Sequence, residues 1–145
     1  MMANFPNKVI LHCADTPDKP KGVHGWDSIG ADIINSWHKD RGWNGIGYHW
    51  VIRKSGVVEA GRPESIVGSH CQGQNKNSLG ICLVGRSEFL PEQYDSLYLL
   101  YTEIKKKYSI DSVLWRGHAE AQVGGIRKTC PNIDMAALRV KLSTL

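Results

Sequence analysis

The first apolar run, "KVILHC" (8–13), is short and β-branched, ends at His12, and gives way to the polar loop "ADTPDKPKG". In "SIGADIINSWHKDRG", Ile29, Ile33 and Trp37 recur at i, i+4 and i+8. That spacing predicts a helix with those three inward, Asp27 or Ser28 as its cap and Gly42 as its stop. "GYHWVIRKSGVVEAG" predicts two strands around a tight turn at Lys54, Ser55 and Gly56. Alternation then puts Tyr48, Trp50 and Ile52 on one face and His49, Val51 and Arg53 on the other. "SLGICLVGR" (78–86) shows little polar alternation and predicts a central strand. A helix follows from Pro91, with Tyr94, Leu97, Tyr101, Ile104 and Tyr108 on its face and Lys105, Lys106 and Lys107 complementing its C-terminal dipole. "SVLWRGH" predicts a last short strand ending at His118, and "DMAALRVKL" a closing helix with Asp134 near its start and Met135, Leu138 and Leu142 inward.

The order β-α-β-β-β-α-β-α predicts an α/β fold, a mixed sheet flanked by helices in a single domain over residues 1–145. Composition agrees: 41% hydrophobic and 22% charged residues describe a globule able to build a core without staples. A net charge of +4 suits an anionic polymer but falls short of a nucleic-acid-binding signature. No apolar run reaches the length of a membrane span. The start "MMANFPNKVILHCADTP" lacks the charged and apolar regions of a signal peptide, which predicts synthesis in a reducing cytoplasm and unpaired cysteines at 13, 71, 82 and 130.

Candidate chemistry begins at "GIRKTCPNID" (125–134), where Cys130 sits on a polar, cationic loop rather than in a core. A disulfide, a nucleophile and a metal ligand are the three uses open to such a thiol. His12 and His118 each end an apolar run, and strand ends of an α/β sheet open into the crevice where ligands bind. Together with Cys130 they would supply the three ligands of a hydrolytic zinc site, leaving one position open. Neighbouring Arg127 and Lys128 would help to lower the thiol's pKa. Spacing alone does not single this set out against structural histidines and an inert thiol. His38, late in the first helix, reads as a surface residue, His49 as structural, and Cys13 and Cys82 as packing residues.

"VILHCADTP", "GWNGIGYHWVIRKSGVVEAGRPE", "VGSHCQGQNKNSLGICLVG" and "GH…KTCP", in that order, together resemble the zinc-dependent N-acetylmuramoyl-L-alanine amidases. The resemblance is strongest to the amidase-type lysozymes of bacteriophages, relatives of the peptidoglycan recognition proteins, and runs from residue 8 to residue 138. It implies their fold and one zinc ion per chain, held by His12, His118 and Cys130. It also places Tyr48 beside the attacking water, Lys128 near the developing oxyanion and His70 on the substrate cleft. The segment between His118 and Cys130 is longer than in the compact phage members, a departure that bears on Lys128.

The implied reaction is hydrolysis of the bond between N-acetylmuramic acid and L-alanine in peptidoglycan, by a phage endolysin during host lysis. Such a protein is made in the host cytoplasm and reaches the wall after membrane permeabilisation. Its implied partners are peptidoglycan and muropeptides, with a phage RNA polymerase contact known in some relatives; a monomer without nucleic-acid or membrane partners is expected. Three alternatives stand beside it: a non-catalytic peptidoglycan-recognition module, a cytoplasmic muropeptide-recycling amidase, and a cysteine hydrolase with Cys130 as nucleophile.

Overall fold

Ser78–Leu83, the fourth strand (β4), is buried at every one of its six positions, as its near-continuous apolar sequence requires. The computed structural model describes residues 1–125 and 128–145. In it β4 lies at the middle of a five-stranded mixed sheet of order β3-β2-β4-β1-β5. The other strands are β1 (Lys8–Cys13), β2 (Trp50–Ile52), β3 (Val58–Ala60) and β5 (Trp115–Gly117). β1 runs parallel to both β4 and β5, β2 runs parallel to β4, and the β2–β3 pair is antiparallel.

Side-chain alternation sorts the sheet into two faces. Val9 and Leu11 of β1 and Leu79, Ile81 and Leu83 of β4 enter one core, closed by α2 (Pro91–Tyr108) and α4 (Met135–Ser143). Within that core α2 contributes Leu97, Leu100, Tyr101 and Ile104, and α4 contributes Met135, Leu138 and Leu142. Asp134 caps α4 by accepting the Ala137 N–H at 3.0 Å, so the closing helix is the one expected. The opposite face holds a smaller cluster in which Cys82 and Val51 meet Ala31 and Ile34 of α1 (Ala31–Asp40). The same face carries His12 and Ser78, which are buried and in contact with His70.

Two expectations about faces are corrected. In α1 the buried residues are Ala31, Ile34 and His38, while Ile33 and Trp37 are 37% and 40% exposed. The helix therefore turns a different stripe inward from the one its largest apolar residues mark. Its N-cap is Gly30, and the carboxylate of Glu59 accepts the Ala31 N–H, so neither Asp27 nor Ser28 caps it. Second, Tyr48 packs with Val51 on the α1 side, whereas Trp50 and Ile52 pack on the α2 side. Regular pairing of β2 starts only at Trp50, so strict alternation does not extend back to Tyr48.

Candidate metal centre and cleft

Parallel register brings the two distant histidines together. Leu11 of β1 pairs with Gly117 of β5, so the residues that follow, His12 within β1 and His118 just beyond β5, stand side by side. His118 does not end the strand but opens a one-turn helix, α3 (His118–Ala121). The two imidazoles meet with their Nδ1 atoms 3.0 Å apart. Cys130 joins them from the loop before α4: its carbonyl accepts the Ala119 N–H at 2.9 Å, and its Sγ accepts the backbone N–H of Cys13, also at 2.9 Å. One donor atom from each of His12, His118 and Cys130 lies within 4.8 Å of the other two. Two imidazoles and a thiol so disposed could hold a metal ion, and they are donors that zinc accepts.

The electrostatics favour neutral rings at physiological pH. Burial, followed by the neighbouring imidazoles of His70 and His118, holds the His12 pKa well below its ordinary value. His118 is lowered by burial and then by the Lys128 ammonium. His70 is lowered to about 3, chiefly by burial. Their ring nitrogens therefore keep lone pairs for hydrogen bonds or a cation. The thiols behave differently from expectation. A hydrogen bond shared with Cys130 brings Cys13 down to about 7, while that same bond and burial push Cys130 up. The expected lowering of the Cys130 thiol is therefore not found; the Lys128 ammonium bears on His118, and Arg127 lies outside the described residues. Cys13, expected to serve packing alone, is a neighbour of the site.

Tyr48 stands beside this group, its ring centroid 5.2 Å from that of His12. It reaches that place because the chain before it passes against Ser69: Gly47 accepts the Ser69 N–H, and a Cβ on Gly47 would overlap the Ser69 carbonyl oxygen. Burial raises the Tyr48 phenol well above its usual pKa, so it stays protonated. Lys128 is exposed and lines the same open cleft of about 800 Å³. Its backbone N–H is held by the Gln122 side-chain oxygen at 2.9 Å. His70 also lines the cleft but is only 8% exposed, with its Nδ1 2.9 Å from His12 Nε2 and its Nε2 3.1 Å from Ser78 Oγ.

The cleft includes residues that sequence reasoning passed over. His38, expected at the surface, is 6% exposed and accepts the Gly47 N–H on Nδ1 at 2.9 Å. Its ring lies between those of Trp43 and Tyr48. Arg41, Trp43, Gln72, Asn75 and Asn132 are among the other residues of the wall. The dense "SWHKDRGWNGIGY" segment, with its aromatic residues interrupted by glycines, was the available signal. His49 is structural as expected, accepting the Gly80 N–H on Nδ1 and meeting the Ile66 carbonyl with Nε2.

Comparison with known proteins places this geometry in a family. The profile described as N-acetylmuramoyl-L-alanine amidase matches residues 2–133. The endolysin of Escherichia phage T7 is 38% identical over 135 residues, covering 88% of this chain and 81% of that protein. Among solved structures, the N-acetylmuramoyl-L-alanine amidase LysC from Clostridium intestinale superposes with a TM-score of 0.79 at 31% identity, over 96% of this chain and 86% of that one. Drosophila PGRP-LB follows with a TM-score of 0.74 at 26% identity, over 93% and 80% of the two chains. Family profile, sequence identity and fold agree, and the chain belongs to the N-acetylmuramoyl-L-alanine amidase family.

Proposed function

We propose that residues 1–145 form one zinc amidase domain, in which His12, His118 and Cys130 hold a single zinc ion. Its reaction is hydrolysis of the amide bond between N-acetylmuramic acid and the L-alanine of the stem peptide, in bacterial peptidoglycan, as a phage endolysin. The observation that carries this reading is the convergence of three donor atoms, from the end of β1, the start of α3 and the loop before α4, within 4.8 Å in an open cleft.

Zinc at this place supplies Lewis-acid polarisation and a water activated at neutral pH. The chain's own groups do the rest. His12 and His118, kept neutral by burial, present lone pairs rather than charges. Tyr48, protonated and beside His12, donates a hydrogen bond that orients the attacking water or the scissile carbonyl. Lys128 brings a positive charge to the cleft rim, where the carbonyl oxygen becomes negative as the tetrahedral centre forms. His70 walls the cleft on the β4 side.

Synthesis in the host cytoplasm and action on the wall after membrane permeabilisation belong to the same proposal; among the described residues no helix is long and apolar enough to cross a membrane. A monomeric state and a phage RNA polymerase contact are also part of it and rest on family resemblance.

The test is a digest of purified peptidoglycan with and without a strong chelator, scoring new alanine amino groups against new reducing sugar ends. New amines that vanish with chelator and return with zinc are the expected result. Reducing ends would mean glycosidase chemistry. Zinc-loaded binding without cleavage would mean a recognition module, and cleavage indifferent to chelator would point to Cys130 as a nucleophile.

A further inference from the structure

We infer that His70 is a positioning residue: it accepts the Nε2 proton of His12, in a hydrogen bond whose direction is set by Ser78 and Asn75, and so leaves the His12 Nδ1 lone pair facing His118 and Cys130. The inference rests on the metal reading above and assigns His70 a task distinct from touching substrate.

The direction follows from counting donors. Ser78 Oγ lies 3.0 Å from the backbone carbonyl of Asn75, which can only accept, so the single hydroxyl proton of Ser78 is committed there. The contact between Ser78 Oγ and His70 Nε2 at 3.1 Å then requires the proton to sit on His70 Nε2. A neutral imidazole carries one proton, so His70 Nδ1 is an acceptor. His12 Nε2, 2.9 Å away, must be the donor, and His12 Nδ1 is left bare. That bare nitrogen is the one 3.0 Å from His118 Nδ1. Reversing any link strands a lone pair against a lone pair or a proton against a proton inside the protein, at a cost of about 1–3 kcal/mol.

The surroundings hold His70 in this pose. Asn75 Oδ1 accepts the backbone N–H of both His70 and Cys71 at 2.8 Å, so the residue that ends the relay also fixes the backbone that starts it. The ring lies over Gly80 of β4, where a Cβ would stand 2.5 Å from His70 Cγ, and against Gly68, where one would stand 2.7 Å from Cδ2. Glycine at the centre of an otherwise apolar strand is thus the space the ring occupies.

The test measures zinc affinity by chelator competition for the wild type, Ser78→Ala, His70→Leu and His70→Asn, with 15N spectra of the histidine rings. Losing an outer partner of a ligating histidine typically weakens metal binding about 10–100-fold, and that loss is expected for Ser78→Ala and His70→Leu. His70→Asn, whose side-chain oxygen can stand where Nδ1 stood, is expected to recover most of the affinity. The zinc-loaded wild type should carry its ring protons on Nε2 of both His12 and His70, a readout independent of how the variants fold. Unchanged zinc affinity in Ser78→Ala and His70→Leu with only a raised KM would overturn the relay and return His70 to substrate contact. A wild type that takes up no zinc would sink the metal reading; the relay is then judged on the histidine spectrum, where an Nδ1 proton on His70 overturns it.

Discussion

His12 and His118 stand 106 positions apart in the chain, yet their Nδ1 atoms face each other across 3.0 Å. The parallel β1–β5 register makes that meeting, and no local motif does. Removing one imidazole leaves two protein donors, below the three of a catalytic zinc site. His118→Ala is expected to lose its zinc on dialysis and its amidase activity with it, measured as metal per chain and as released alanine amino groups. A variant that kept one zinc per chain would remove His118 from the ligand set.

Lys128 and Tyr48 should fail differently from a ligand. Neither belongs to the His12, His118 and Cys130 donor group, so zinc content should stay at the wild-type level in Lys128→Met and Tyr48→Phe. Loss of one oxyanion-stabilising donor typically costs about 10²–10³ in kcat, the range expected for Lys128→Met. Steady-state kinetics on a soluble muropeptide, read beside metal content, separates the two kinds of loss.

Asp18 is a load point of the fold remote from catalysis. It pairs with Lys54 at 3.0 Å, whose side chain is 2% exposed, and accepts the backbone N–H groups of Arg86, Ser87 and Glu88. Burial would raise its pKa, but those amides and the Lys54 ammonium outweigh burial and lower it. Removing one partner of a buried pair typically costs about 3–5 kcal/mol, so Asp18→Ala should lose stability of that order in urea unfolding at pH 7. Because the folded pKa is depressed, the carboxylate's contribution is complete above the ordinary carboxylate range and fades as pH falls through the folded value. Asp18→Asn should therefore cost less at pH 3 than at pH 7.

His38 gives a second pH signature. Its pKa is lowered to about 4, by burial and then by Arg41 and Arg62, against about 6.5 for a free histidine. Between those values the unfolded chain binds a proton that the folded chain refuses, so stability falls as pH drops from about 6.5 towards 4. His38→Asn keeps an acceptor for the Gly47 N–H without a titrating group. Its stability should fall less steeply over that interval, by up to about 1.4 kcal/mol per pH unit, as thermal unfolding at several pH values would show.

The strands and helices were legible where the pattern is plain, as in the near-continuous apolar run at 78–83 and the helical spacing of Leu97, Tyr101 and Ile104 within 91–108. The metal-ligand candidates were legible as residues at the ends of apolar runs, although their convergence needed the family resemblance and then the register. What failed shares a cause: a polar side chain satisfied inside the protein has no hydrophobic mark in sequence. His38 is buried because Gly47 donates to it, while Trp37, the larger apolar neighbour, stays partly outside. His70 lines the cleft as expected, and what its sequence did not mark is the engagement of both ring nitrogens by His12 and Ser78, partners 58 and 8 positions away. The same holds for Cys13, whose apolar strand gives no hint of the Cys130 sulfur 117 positions along.

That last separation has a mechanical meaning. Residues 12 and 130 enclose most of the chain, so a cation gripped by both would act as a removable cross-link, closing a loop nearly as long as the protein. Closure of a long loop restricts the unfolded ensemble more than the folded one. Ion uptake and cohesion of the first strand with the last loop then become one equilibrium, worth about 2.7 kcal/mol when free zinc stands a hundredfold above its Kd. A chelator would slacken the whole enclosure.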